Sequence, residues 1–237
     1  MKGLIYILTI TIFLSCNNER VLELPEIENA EITEVLDVSP AYIFYDETQP
    51  DSTLFNRKNL IGTTNWLVNV DKRLTLKQAI PHIQYLQDKR NKASMHKNEA
   101  AKNYFTCNDT SIKNLGFFEF TEVDIKNVDI KNDSLNLQLL DPSSEFYRNK
   151  LLPGAYIELS VIFEKDRRIR YKNKSLSISD YISEIPVTQN IEIQSEGFSL
   201  DLYFDESLTF QDYISIKSEL SQIEREDIIV SPFEFIY

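Results

Sequence analysis

Two stretches of this chain share one pattern of apolar and polar positions. In 71–86 the apolar residues fall at 76, 79, 80, 83 and 86, and from 205 onward they fall at 210, 213, 214, 216, 220 and 223. Both spacings predict a helix with a single apolar stripe. An offset of 134 positions superimposes the stretches without a gap, setting Asp71, Leu74, Thr75, Ile80 and Leu86 on Asp205, Leu208, Thr209, Ile214 and Leu220. Each opens on a hydroxyl residue with an amide or acid three positions later: Thr75 with Gln78, and Thr209 with Asp212. A shorter copy at 176–182 repeats this with Ser177 and Asp180. This is capping-box spacing, and the Leu before each hydroxyl is placed to staple against the fourth helical residue. Pro81 falls within the first two turns, where the missing N–H costs least, so a kink is predicted rather than a break.

Strand-like runs flank these helices. Residues 66–70 and 198–204 precede them, and 103–107 and 227–237 follow. Pro232 within the last run argues for an edge position or a bulge. Further runs at 41–45, 117–123, 135–140 and 156–163 alternate or nearly so, with shorter pieces at 168–171 and 191–194. The predicted fold class is α+β: two related modules, 41–115 and 116–237, with strand–helix–strand units on mixed or antiparallel sheets.

The start of the chain reads differently. Lys2 precedes an uncharged apolar run, 4–14, whose length suits a signal-peptide core and is too short to span a membrane. It ends in Phe13-Leu14-Ser15-Cys16, which resembles a bacterial lipobox, with Phe where Leu is more usual. The resemblance implies cleavage after Ser15 and lipidation of Cys16; the alternative is a plain secretory peptide cut near Ser15. Residues 1–15 are thus predicted to be a signal peptide. Residues 16–40 carry Glu19, Glu23, Glu26, Glu28, Glu31, Glu34 and Asp37 against Arg20 alone, and read as an acidic, solvated tether. Val21, Leu22 and Leu24 give part of it a means to lie on the domain. With Cys16 acylated, Cys107 has no partner in the chain and reads as a buried, inert thiol.

Composition narrows the function classes. A net charge of −12 disfavours nucleic acid and anionic lipid as partners. Five glycines argue against Gly-rich phosphate loops and propeller repeats. The sequence contains no Gly-x-Ser-x-Gly elbow, His-Glu-x-x-His or Cys-x-x-Cys. The histidines are His82 and His96, and no metal, cofactor or catalytic residue is predicted. Asp71 and Asp205 each end a strand and precede a helix, which suits a turn-forming or helix-dipole role. Trp66 is read as core. The basic clusters at 89–92 and 167–170 are read as solvated edges.

Residues 159–237 resemble, in pattern, the periplasmic domain of ExbD/TolR-type biopolymer-transport proteins: a strand, a hairpin-like return through Arg168-Ile169-Arg170-Tyr171, a capped helix, then strand–helix–strand to Tyr237. Residues 60–107 resemble the last part of that unit. Those proteins carry a membrane helix with a proton-coupling Asp, whereas 4–14 has no acid. The resemblance therefore implies a small dimerising, partner-binding envelope domain without the motor. The expectation is a non-enzymatic envelope lipoprotein held by its lipid, outer-membrane, facing periplasm or surface, with a protein partner or a second copy. A carboxylate-dependent hydrolase of glycan or cell wall is the alternative.

Overall fold

A computed structural model describes residues 21–92, 98–129, 156–171, 174–186 and 196–237. The expected strands at 135–140 and 191–194 lie outside them. The fold is α+β, with two mixed six-stranded sheets and, among the described residues, three helices. The elements in chain order are β1 (Glu26–Ile27), β2 (Val38–Tyr45), β3 (Thr53–Asn56), β4 (Asn65–Val70), α1 (Leu76–Asn91), β5 (Asn103–Asp109), β6 (Asn114–Glu119) and β7 (Asp124–Asn127). They continue as β8 (Tyr156–Phe163), β9 (Ile169–Tyr171), β10 (Lys174–Leu176), α2 (Ile178–Glu184), β11 (Gly197–Phe204), α3 (Phe210–Ser221) and β12 (Ile228–Ile236).

The two sheets repeat one plan. In the first, β2, β4 and β5 are parallel and β3 returns antiparallel on β2. In the second, β8, β11 and β12 are parallel and β9 returns antiparallel on β8. Helix α1 connects β4 to β5 as α3 connects β11 to β12. The outer strands differ: β6 lies antiparallel on β5, whereas β7 lies parallel on β12.

Both repeat helices begin where the periodicity places them. Thr209 Oγ1 accepts from Asp212 N at 3.1 Å while Asp212 Oδ2 accepts from Thr209 N at 3.0 Å. Gln78 Oε1 accepts from Thr75 N at 2.9 Å, and Ser177 Oγ accepts from Asp180 N at 3.1 Å. The apolar stripe of α1 is the buried face, Leu76, Ala79, Ile80, Ile83 and Leu86, and the helix runs through Pro81 unbroken. The stripe of α3 is buried too, with one unexpected member, Lys217. A single apolar core runs through both modules. At its centre Phe105 of β5 stacks on Phe120 at 3.8 Å and meets Phe210 of α3 edge-on at 5.1 Å.

The modules meet through the repeated stretch itself. Thr75 and Thr209 form an antiparallel bridge. Leu76 N donates to Leu208 O at 2.8 Å, and its counterpart Phe210 N donates to Leu74 O at 2.7 Å. Lys77 N donates to Glu206 O and Gln211 N to Lys72 O, at 2.9 and 3.2 Å. Each bond is the other shifted by 134 positions, so the junction is a local two-fold within one chain.

Two expectations differ from the structure, and a third, the bulge at Pro232, is met. The boundary at 115 falls inside β6, which pairs with β5 along its length; the division lies between β6 and β7. Residues from Glu23 onward are bonded to the domain rather than a solvated tether, and 38–40 already belong to β2. Pro232 sits in the expected bulge: Val230 to Glu234 oppose only Leu200 to Leu202 on β11, and the pairing of β12 with β7 begins one residue later, at Phe233. The chain tolerates Pro there because the bulge takes its N–H position out of the ladder.

Candidate functional site

The feature that most changes the sequence picture is the arm formed by residues 21–37. Alternate backbone groups of a strand point to opposite edges, and even-numbered residues of β5 point toward β4. Lys102 O takes Trp66 N on that edge, and Asn108 and Thr110 N donate to Pro25 and Ile27 O at 2.8 and 3.0 Å. Strand β1 therefore fills the edge of β5 beyond the end of β4. The arm then crosses to the far side of the hairpin, where Phe117 N donates to Ile32 O at 2.9 Å.

The crossing is built for it. A Cβ at Gly116 would stand 2.5 Å from Ala30 Cβ and 3.0 Å from Ile27 Cδ1, so the missing side chain is what seats the arm. Asp109 is fully buried, and its carboxylate accepts Ser111 Oγ at 2.6 Å, Ser111 N at 2.8 Å and Ala30 N at 2.7 Å. The Ser111 hydroxyl and then the Ala30 N–H hold that carboxyl down at about 2. From the other module, Gln211 of α3 clasps Glu26: its Oε1 accepts from Glu26 N at 2.8 Å and its Nε2 donates to Glu26 O at 2.9 Å.

The strand-end aspartates diverge here. Asp205 accepts from Ser207 N at 2.8 Å as a plain turn former, as predicted. Asp71 makes the same turn bond to Arg73 N and is also fully buried. Arg73 grips it through Nε and Nη2 at 2.8 and 2.7 Å. Burial alone would raise the Asp71 carboxyl, but these bonds and the Glu23 N–H outweigh it and keep it below its ordinary value. Lys72 and Arg73 also reach Glu26 and Glu23, at 2.8 and 3.2 Å, so two of the arm's acids are paired on the domain.

Other candidates resolve locally. Cys107 is fully buried, and burial pushes its thiol up to about 12, as an inert core residue requires. Trp66 is core, with Nε1 donating to Ile61 O at 2.8 Å. Arg90, read from sequence as a solvated edge, is buried over the Trp66 ring at 3.9 Å. It donates to Asn103 Oδ1 and to the Gly62, Thr64 and Lys102 carbonyls. Desolvation lowers its guanidinium to about 10, which leaves it charged at neutral pH. Arg170 pairs with Glu164, and Arg168 caps Ser175 O on β10. His82 is half-buried against Phe55 and shares a hydrogen bond of 3.2 Å with Thr53 Oγ1. His96 and Cys16 lie outside the described residues. Among those residues no three His, Cys, Asp or Glu side chains form a metal-holding group. No helix among them is long and apolar enough to cross a membrane.

A polar groove of about 810 Å³ lies between α1 and the segment 121–125, with Asp88, Glu99, Glu122 and Asp124 on its walls. Sequence reading missed two further features. One is Glu26 in the grip of Gln211. The other is a buried cluster in which Glu234 accepts from Tyr213 OH at 2.7 Å and pairs with Lys217. A signal for the latter was present: Lys217 interrupts an otherwise apolar helix stripe, and Glu234 an aromatic strand.

No family model, curated protein or solved structure matches this chain.

Proposed function

We propose that this chain is a non-enzymatic lipoprotein of the bacterial envelope, attached through Cys16 and acting as a binding or scaffolding module. The observation that carries the reading is the apolar run 4–14 ending directly at Phe13-Leu14-Ser15-Cys16. Support also comes from the arm, which is bonded to the domain from Glu23, seven residues after the cysteine. The attachment is to the outer membrane, facing periplasm or surface. An accessory role in an envelope transport complex follows from the ExbD/TolR-type pattern of 159–237. Because β7 covers the outer edge of β12 over 233–236, a second copy that added to the last strand would have only its first half, 228–232, to pair with.

Mass spectrometry of the protein isolated from its own membranes should find Cys16 at the N-terminus carrying acyl chains. Cys16→Ala should move the protein to the soluble fraction, and a mature chain beginning elsewhere overturns the reading. The four carboxylates of the α1 groove favour one competing reading, a hydrolase of glycan or cell wall. Saturable hydrolysis abolished by Glu99→Gln or Glu122→Gln would establish that reading instead.

A further inference from the structure

We propose that the docked arm holds one particular end of the domain against the lipid surface: the end formed by the turn after β4, Lys72–Arg73, and the tip of the β5–β6 hairpin. The inference rests on the anchoring of Cys16 proposed above. Cys16 is seven residues before Glu23, whose backbone is the first of the arm to bond the domain, so the leash of chain between them can span at most about 25 Å. Were the arm undocked up to Val38, the same leash would reach about 80 Å. The arm joins the domain at one end of the first sheet: Glu23 O takes Lys72 N just past β4, and Ile27 O takes Thr110 N just past β5. Two side chains at this end are left exposed and apolar, Val21 at 69% and Ile112 at 46%. Glu23 and Glu26, the two acids closest to the leash, are paired with Arg73 and Lys72, while Glu28 and Glu31 stay exposed, which suits a zwitterionic rather than an anionic surface. At the far end of the first sheet Ile61 is exposed as well, with the length of β5, about 20 Å, between it and the hairpin tip.

The occupant of this end is a lipid surface, selected by leash length rather than by affinity for headgroups. The clasp has three independent parts: the space at Gly116, the Asp109 carboxylate on Ala30 N, and the Gln211 amide on Glu26.

The test uses the lipidated full chain on phosphatidylcholine vesicles that carry a headgroup-attached fluorescence quencher. Dye is placed at Ile112→Cys or, separately, at Ile61→Cys; Cys107 is buried and stays unlabelled in the native protein. Quenching at 112 should be at least twice that at 61. Inserting six Gly/Ser residues after Arg20 lengthens the leash without touching the arm and should equalise the two positions. Gly116→Val should do the same by unseating the arm. Gln211→Ala, which removes the clasp on Glu26 and one bond to Ser215 Oγ within α3, should narrow the difference and raise hydrogen exchange at 26–30 in a chain that remains folded. Equal quenching in a parent protein that floats with the vesicles overturns the inference and leaves the anchor standing. A difference that survives the insertion also overturns it, because the face would then bind lipid unaided. A protein that does not float overturns the anchor and this inference together.

Discussion

The two modules place different chemistry at the same core sites. Shifted by 134 positions, Tyr213 and Lys217 of α3 fall on Ala79 and Ile83 of α1. The register that pairs Leu202 with Glu234 pairs Val68 with Phe105, so Glu234 stands where Phe105 stands. The first module is apolar at all three positions. The second holds a buried ion pair with a tyrosine hydroxyl on the same carboxylate, and burial and that carboxylate together raise the Tyr213 phenol well above its ordinary value. The plan of strands and helix thus tolerates either solution. What the second cannot tolerate is half of one.

The largest effect should therefore come from Glu234→Ala, which leaves the Lys217 ammonium buried and unpaired and should lower stability by about 3–5 kcal/mol, read by urea denaturation. Replacing all three members, Tyr213→Phe with Lys217→Met and Glu234→Leu, copies the apolar solution of the first module, leaves no buried hydroxyl without its acceptor, and should restore stability to within about 1 kcal/mol of the parent or exceed it. A triple variant as weak as the single one would break the comparison.

A milder contrast lies between two arginines, Arg90 in the last turn of α1 and Arg225 four residues past the end of α3. Arg90 is buried on the carbonyls that lead into β4 and β5. Arg225 does the same job for 182–186 and Asp227, but remains partly exposed. Gly197 stands at that second site, where a Cβ would come within 2.3 Å of Asp227 O. Arg90→Met should cost about 2–3 kcal/mol, because several buried acceptors lose their donor. Arg225→Met should cost less than half of that, since water replaces the guanidinium.

The caps sharpen the comparison further. Thr75→Ala and Thr209→Ala should each cost about 1 kcal/mol. Because the two residues face each other across the bridge, the double variant should deviate measurably from the sum. Strict additivity would show the helix starts to be independent.

The smallest effect is a pH dependence at the two strand ends that the arm covers. Asp109 is held at about 2 and Asp71 below its ordinary value, so the folded chain binds fewer protons than the unfolded chain as acid is added. Their contribution is full above pH ~4, where an unfolded Asp is ionised, and fades as pH falls toward ~2. Thermal melts over that interval should shift less in Asp109→Asn than in the parent.

Much of this fold was legible in the sequence because local rules and tertiary needs agree there. The stripes of α1 and α3, their caps and the strands at 66–70, 103–107 and 198–204 needed only periodicity and cap chemistry. The arm was not legible, because seven acids in 17–40 outweigh the few apolar residues, and nothing local shows that Lys72 and Arg73 stand ready to pair with Glu26 and Glu23. Arg90 was misread for the same reason: its partners are carbonyl groups, which carry no sequence signature. The strand-end aspartates were half legible. Their shared turn role was visible, whereas the burial of Asp71 depends on a neighbour more than forty residues away.

The bridge between Thr75 and Thr209 has a consequence for any attempt to separate the halves. First-turn amides of a helix have no acceptor of their own. Here Leu76 and Lys77 find theirs on the opposite module, and Phe210 and Gln211 find theirs in return. A gene cut between β6 and β7 would yield two fragments, each with the acceptors that the other lacks. Expressed together, they should reassemble into a whole; expressed alone, each would offer its bare helix start to a sibling of its own kind.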